Sequence, residues 1–293
     1  MQGIKIYTIL ASSLISGSVF AQTEISTSNS STVNASYVEP SAEKIISPSD
    51  KLNNLFERNM SQPYILQKIG ERTYYVQRYF YSTTFKYVGD KGVLLFDAPE
   101  GRGKYLLQAI RDVTPLPVTA LVYSHYHVDH IGDSPFWNDE AKKEGVNLRI
   151  IASKATAEKM QFMNSRLPVA TQVLSKKDDQ FKFEKQTIEL HRFVKAGHTD
   201  DHSVWLLKQE KVAHSPDLLN PDQLPMMGFA VSDTLVYHDS NLRQVEMLDW
   251  KSILLAGMVI LVHTMILNFN ASFLMIFGIR QLKSEKKKVL VNL

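Results

Sequence analysis

There is no cysteine among the 293 residues. Disulfides and thiolate metal sites are excluded together, so any metal must be held by histidine, aspartate, glutamate or water. A strong bulk charge is missing too. The formal net charge is +3, and the stretch from Arg280 to Lys288 alone carries five basic residues against one acidic. The remainder is close to neutral, which argues against nucleic-acid binding through bulk charge. No short-period repeat of the solenoid kind is present. Long apolar runs are confined to Ile6 to Phe20 and Ile253 to Ile279. The chain as a whole is 44% hydrophobic, enough for one domain of ordinary size with tails.

Met1 to Ala21 has the form of a secretory leader: Lys5, the apolar run, then small residues before Gln22. The expectation is an exported protein, periplasmic or secreted. Residues 22–50 are rich in Ser, Thr and Asn and predict a disordered linker, since they have little apolar surface to bury. A globular domain is expected over 51–251. Arg72 to Tyr81 alternates as a strand, and Phe85 to Val88 and Gly92 to Asp97 flank a hairpin turn at Gly89 to Gly92. Helices are predicted over Gly103 to Val113, Ser134 to Glu144 and from an N-cap at Ser153 to about Met163. Leu148 to Ala152, Thr187 to Val194, Ser203 to Lys208 and Lys211 to Ala213 read as strands.

The densest chemistry follows the apolar run Val118 to Tyr123. His125, His127, Asp129, His130 and Asp133 fall within nine residues, in the pattern His-Tyr-His-Val-Asp-His-Ile-Gly-Asp. Alternation at a strand end would point His125 and His127 to one side. Asp129 and His130 follow on the turn, and Asp133 is expected to cap the next helix. Imidazole and carboxylate are the usual nitrogen and oxygen ligands of zinc. His191 lies on the polar phase of its strand and reads as solvated; His214 and His238 read as structural or solvated.

His-x-His-x-Asp-His after a strand resembles the signature of the metallo-β-lactamase fold hydrolases. The likeness extends from about Tyr74 to Trp250. Tyr81 to Asp97 is similar to the family's opening hairpin, Ala196-Gly-His198-Thr to its Gly-His-Thr motif, and Lys211-Val-Ala-His-Ser-Pro-Asp217 to the segment of its bridging Asp. The resemblance implies an α+β fold, an αββα two-sheet sandwich with helices outside. It implies two zinc ions, one on His125, His127 and His198 and one on Asp129, His130 and Asp217, with Asp217 bridging. It implies a metal-bridged hydroxide attacking an ester, thioester, lactone or β-lactam type bond of a small molecule. Asp129 would also orient the nucleophile or shuttle its proton, and Asp97 would stand below the metal site; from the residues alone, His202 reads either as a support behind a ligand or as structural.

The C-terminal part departs from that pattern. The family supplies one more His after a last strand. Here residues 252–293 instead give an apolar tail with a basic end, and Ile253 to Ile279 reads as a helix able to contact a membrane. Its one histidine, His263, sits inside the apolar run, so the second zinc site is expected to lack a ligand. Read one base out of frame, the codons from Gly257 to Leu267 can encode Gly-His-Gly-Asn-Ile-Gly-Ser-His-Asp-Asp-Phe, the missing segment. A frameshift near Leu254 to Gly257 is therefore one expectation. A membrane-anchored or catalytically weak metal-binding protein of the same fold is the other.

Overall fold

The computed structural model describes residues 64–78, 81–218, 232–254 and 262–263. The expected leader, the linker and the tail beyond His263 lie outside the described residues. Two sheets are formed. The first runs in chain order: β1 (Ile65–Lys68), β2 (Thr73–Arg78), β3 (Tyr81–Val88), β4 (Val93–Phe96), β5 (Val118–Val122), β6 (Arg149–Ser153) and β7 (Gln172–Leu174). Its first four strands pair antiparallel and the pairs from β4 to β7 are parallel. Parallel neighbours need crossovers. They are supplied by α1 (Gly103–Arg111), by the single turn α2 (Val128–Ile131) with α3 (Ser134–Lys143), and by α4 (Lys154–Phe162). The strands β4 and β5 read as near-continuous apolar runs because both faces are covered.

The second sheet has the order β13-β12-β11-β10-β9-β8. Its members are β8 (Gln180–Phe183), β9 (Gln186–Arg192), β10 (Ser203–Leu207), β11 (Val212–His214), β12 (Ser252–Leu254) and β13 (Val262–His263). A short 3-10 helix, Leu235–Tyr237, leads into α5 (His238–Glu246), the crossover between the parallel strands β11 and β12.

Three apolar layers hold this together. Tyr75, Phe96, Val122, Phe181, Trp205 and others fill the space between the sheets. Leu95, Leu106, Ile110, Leu121, Trp137 and Met160 lie between the first sheet and its helices. Val204, Leu206, Ala213, Leu242 and Val245 bind α5 to the second sheet. The architecture is the expected αββα sandwich. A lysine is buried in it: Lys86 of β3 is fully enclosed under α1, its Nζ donating to the Ala109 carbonyl and lying 5.8 Å from the Tyr74 ring centroid.

The tail differs from expectation at its start. Ser252–Leu254 is a strand, not the first turn of a helix, because the free edge of β11 offers backbone partners to it. Val262–His263 pairs antiparallel with it, His263 opposite Ser252. Among the described residues no helix is long and apolar enough to cross a membrane.

Candidate metal centre

Strand β5 aims the chain at one end of the sandwich. Its direction is continued by Tyr123, whose N–H donates to the Ile151 carbonyl at 2.9 Å. The next N–H, of Ser124, leaves the sheet and donates to Asp97 Oδ1 at 2.8 Å. His125 and His127 therefore converge from a loop and not as alternate strand residues, because the Asp97 carboxylate has replaced a strand partner. His127 is extended, with φ −63° and ψ 135°, and α2 winds directly after it, raising Asp129 and His130 on its first turn.

The other half of the site comes from the second sheet. His198 stands on the connection between β9 and β10, and Asp217 follows β11. Two ring-nitrogen distances decide what the cluster suits. His198 Nε2 lies 3.2 Å from His125 Nε2 and 3.2 Å from His127 Nδ1. Two nitrogens bound to one tetrahedral zinc at 2.0–2.1 Å stand roughly 3.3 Å apart. Three imidazoles crowding their ring nitrogens together gain little as hydrogen bonds, but they fit a shared cation. Asp217 Oδ2 completes this group, 3.3 Å from His198 Nε2 and 3.9 Å from His125 Nε2. The same oxygen is 2.9 Å from His130 Nε2, and Asp129 Oδ2 lies 3.5 Å from that nitrogen. Two donor groups result, His125–His127–His198–Asp217 and Asp129–His130–Asp217, each able to hold a metal ion and sharing one carboxylate.

Electrostatics favour the ligand forms of His125, His127 and Asp217, while the carboxylates around His130 favour its imidazolium. Burial, and then repulsion from His130, puts the His125 imidazolium well below its usual range. Burial and His198 bring His127 down to about 4. Both are thus neutral at pH 7, as ligation needs. Burial alone would raise the Asp217 carboxyl, but the charge and hydrogen bond of His130 and a hydrogen bond from His198 hold it well below the carboxylate range. His130 in turn is pulled well above its usual value by Asp217, against the effect of burial.

Behind the ligands is a polar layer. Ser124 Oγ lies 2.9 Å from His125 Nδ1, leaving Nε2 to face the cavity. Asp97 is fully buried, 2.7 Å from His214 Nε2 and 3.6 Å from His130 Nδ1 through Oδ2. Burial would raise it; the charges and hydrogen bonds of His214 and His130 hold it at about 2. Asp97 and Asp217 both take left-handed backbone, φ 61° and 63°, a conformation that non-glycine residues keep only where surroundings enforce it. His202 is buried with Nε2 3.2 Å from Ser215 Oγ, its ring 5.4 Å from that of His125 and 5.3 Å from that of His198.

The six side chains read from the sequence as ligands are brought together, with Asp97 and His202 adjacent. His191 stays apart, beside Glu189 on the second sheet. His238 is buried at the start of α5, where burial brings it down to about 4. His214 is also buried, and its part in holding Asp97 was hidden by its place in an apolar strand. Asp133 corrects one expectation. Its carboxylate does not cap the following helix. It accepts from the N–H groups of Gly101, Arg102 and Gly103 at 2.9, 2.8 and 2.6 Å, and so caps the earlier helix α1. The long-range pairing wins because the loop before α1 lies against this turn, tied by Ala98 N–H to the His130 carbonyl and by Asp133 N–H to the Ala98 carbonyl.

Comparison with known proteins bears on the family and the fold. A family profile described as the metallo-beta-lactamase superfamily matches residues 79–249. The metallo-beta-lactamase from Pontibacter korlensis superposes with a TM-score of 0.57 at 20% identity, over 72% of this chain and 99% of that one. The metallo-beta-lactamase IND-7 gives 0.55 at 17%, over 67% and 90%. VMB-1 gives 0.57 at 16%, over 73% and 98%. No curated protein matches the chain.

Proposed function

The chain belongs to the metallo-beta-lactamase superfamily of metal-dependent hydrolases, and on that premise we propose that it is a zinc hydrolase of small-molecule esters, thioesters, lactones or β-lactams. The observation that carries this reading is the position of Asp217 Oδ2, between a three-histidine group and the Asp129–His130 pair. His125, His127 and His198 would hold one ion, and Asp129 and His130 the other, with Asp217 shared. Two carboxylates offset part of the charge of two close dications, and neutral imidazoles supply the rest of the donors. When bound, zinc supplies Lewis acidity and lowers the pKa of water from 15.7 to about 7.

The chain's own residues do the remainder. His125 and His198 are fully buried and keep bulk water from that side of the cavity. Asp129 is 57% exposed at the mouth, where its carboxylate can orient an attacking water and accept its proton. Asp97, fixed by Ser124 and His214, holds His130 in place from below. The second donor group has three residues against four in the first, which supports a weaker second ion. Export rests on the Met1 to Ala21 leader, and an exported chain beginning at Gln22 tests it.

The experiment is zinc content per chain after purification, with hydrolysis of an ester, thioester, lactone and β-lactam panel before and after chelation. Near two zinc ions and hydrolysis lost on chelation support the reading. A chain that takes up no zinc, or hydrolysis indifferent to chelation, sinks it.

A further inference from the structure

His198 is the hub of the three-histidine group, yet its loop has no strand to lean on: β9 ends at Arg192 and β10 begins at Ser203. Backbone groups of such a loop need partners from elsewhere. Around His198 they come from 233–241. Asp233 N–H donates to the His198 carbonyl at 2.6 Å, Thr234 N–H to the Gly197 carbonyl at 3.1 Å, and Thr234 Oγ1 to the Ala196 carbonyl at 2.9 Å. The two groups on either side of Ala196 are taken by one side chain. Asn241, fully buried on α5, accepts from Gly197 N–H through Oδ1 at 2.6 Å and donates from Nδ2 to the Lys195 carbonyl at 2.6 Å. A side-chain amide is suited to this because it offers a donor and an acceptor on one plane.

The loop is also pressed against α5. A Cβ on Gly197 would stand 2.9 Å from the backbone nitrogen of His238 and 3.0 Å from its Cα. Backbone therefore meets backbone here, and the loop cannot carry a side chain at that point without moving off the helix.

We propose that Asn241 is a positioning residue for His198: it clamps the Lys195–Gly197 backbone to α5 and so fixes where the imidazole reaches the metal cavity. This rests on the reading of His198 as a metal ligand. Ring nitrogens 3.2 Å apart leave little slack, since zinc bonds nitrogen only at 2.0–2.1 Å. Support residues of metal ligands characteristically change affinity 10- to 100-fold, and that is the size expected here.

The test compares full-length wild type with Asn241→Ala, Asn241→Asp, Gly197→Ala and Leu242→Ala. Asn241→Asp keeps the acceptor for Gly197 but turns an oxygen on the Lys195 carbonyl. Leu242 is a neighbour on α5 that packs against the second sheet and serves as the purely structural control. Zinc affinity is read by chelator competition. Amide hydrogen exchange at Gly197 is read on the metal-free proteins.

Asn241→Ala and Asn241→Asp should weaken zinc binding at least tenfold and speed Gly197 exchange at least tenfold relative to amides in β10. Gly197→Ala should weaken zinc alike. Leu242→Ala should lower the denaturation midpoint with zinc affinity within threefold of wild type. Unchanged affinity in both Asn241 variants, or an equal loss in Leu242→Ala, overturns the proposal. If Asn241→Ala does not fold, Asn241→Asp and Gly197→Ala decide. A wild type that binds no zinc would refute the proposed function, while Gly197 exchange would still decide whether Asn241 holds the loop.

Discussion

Lys86 offers a quantitative check on the packing between the first sheet and α1. The perturbation is Lys86→Met, which keeps the length of the side chain and removes its charge. Burial brings the ammonium from 10.5 down to about 7, with the Asp112 charge opposing only in part. At 1.36 kcal/mol per pH unit, the window from about 7 to 10.5 is worth roughly 5 kcal/mol. Within that window the unfolded chain binds more protons than the folded one, so wild-type stability rises with pH. Below pH 7 both states are protonated and the contribution is flat at its most unfavourable. Methionine removes this cost but leaves the Ala109 carbonyl, in the last turn of α1, without its donor, a loss of about 1–3 kcal/mol. The net expectation is a variant more stable than wild type by roughly 2–4 kcal/mol at pH 6. The advantage should shrink above pH 7 and reverse near pH 9. Urea denaturation of the metal-free proteins between pH 6 and 9.5 measures it. A difference between the two curves that does not move with pH would refute the reasoning.

Three further outcomes are expected. Asp133→Ala strips the acceptor from three N–H groups ahead of α1 and should cost about 2 kcal/mol in urea denaturation, whereas a cost below about 0.5 would mean that water replaces it. His214→Phe frees Asp97 from its 2.7 Å partner and should weaken zinc 10- to 100-fold by chelator competition, with His191→Ala as the unaffected comparison. Restoring the alternative reading frame after Ser252 should raise zinc content and hydrolysis, and His263→Ala in the present chain should change neither. His263 pairs with Ser252, and Ser252 with Val212, at the end of β11 remote from Asp217; loss of zinc in His263→Ala would show the tail to be part of the site.

The legible parts of the sequence were those where local pattern and tertiary demand coincide. The apolar run of β5 feeding a cluster of histidines could be seen at once, as could the β3–β4 hairpin with its turn closed from Gly89 N–H to the Gly92 carbonyl. Ser153 caps α4 through the Thr156 N–H as its position suggests. Helix α5 was hidden. Its buried residues His238, Asn241, Leu242 and Val245 have helical spacing, but two of the four are polar and give no apolar stripe. Asn241 and Asp133 were opaque for a related reason: their partners lie 44 and about 30 positions away, and no local rule names them. At β12 a continuous apolar run fitted helix and strand alike, and the open edge of β11 made the choice.

The ligands come from two supports that, among the described residues, share no strand pairing with each other: loops of the first sheet carry His125, His127, Asp129 and His130, and loops of the second carry His198 and Asp217. The cavity is therefore a vernier for the alignment of the two sheets. One residue of slippage is about 3.3 Å, as large as the whole separation between the ring nitrogens. Repacking around Phe96 and Trp205, in the layer between the sheets, can leave the fold intact and still detune the centre. Such variants should show in metal affinity as well as in a melting curve, so selection on this chemistry also reaches the layer between the sheets.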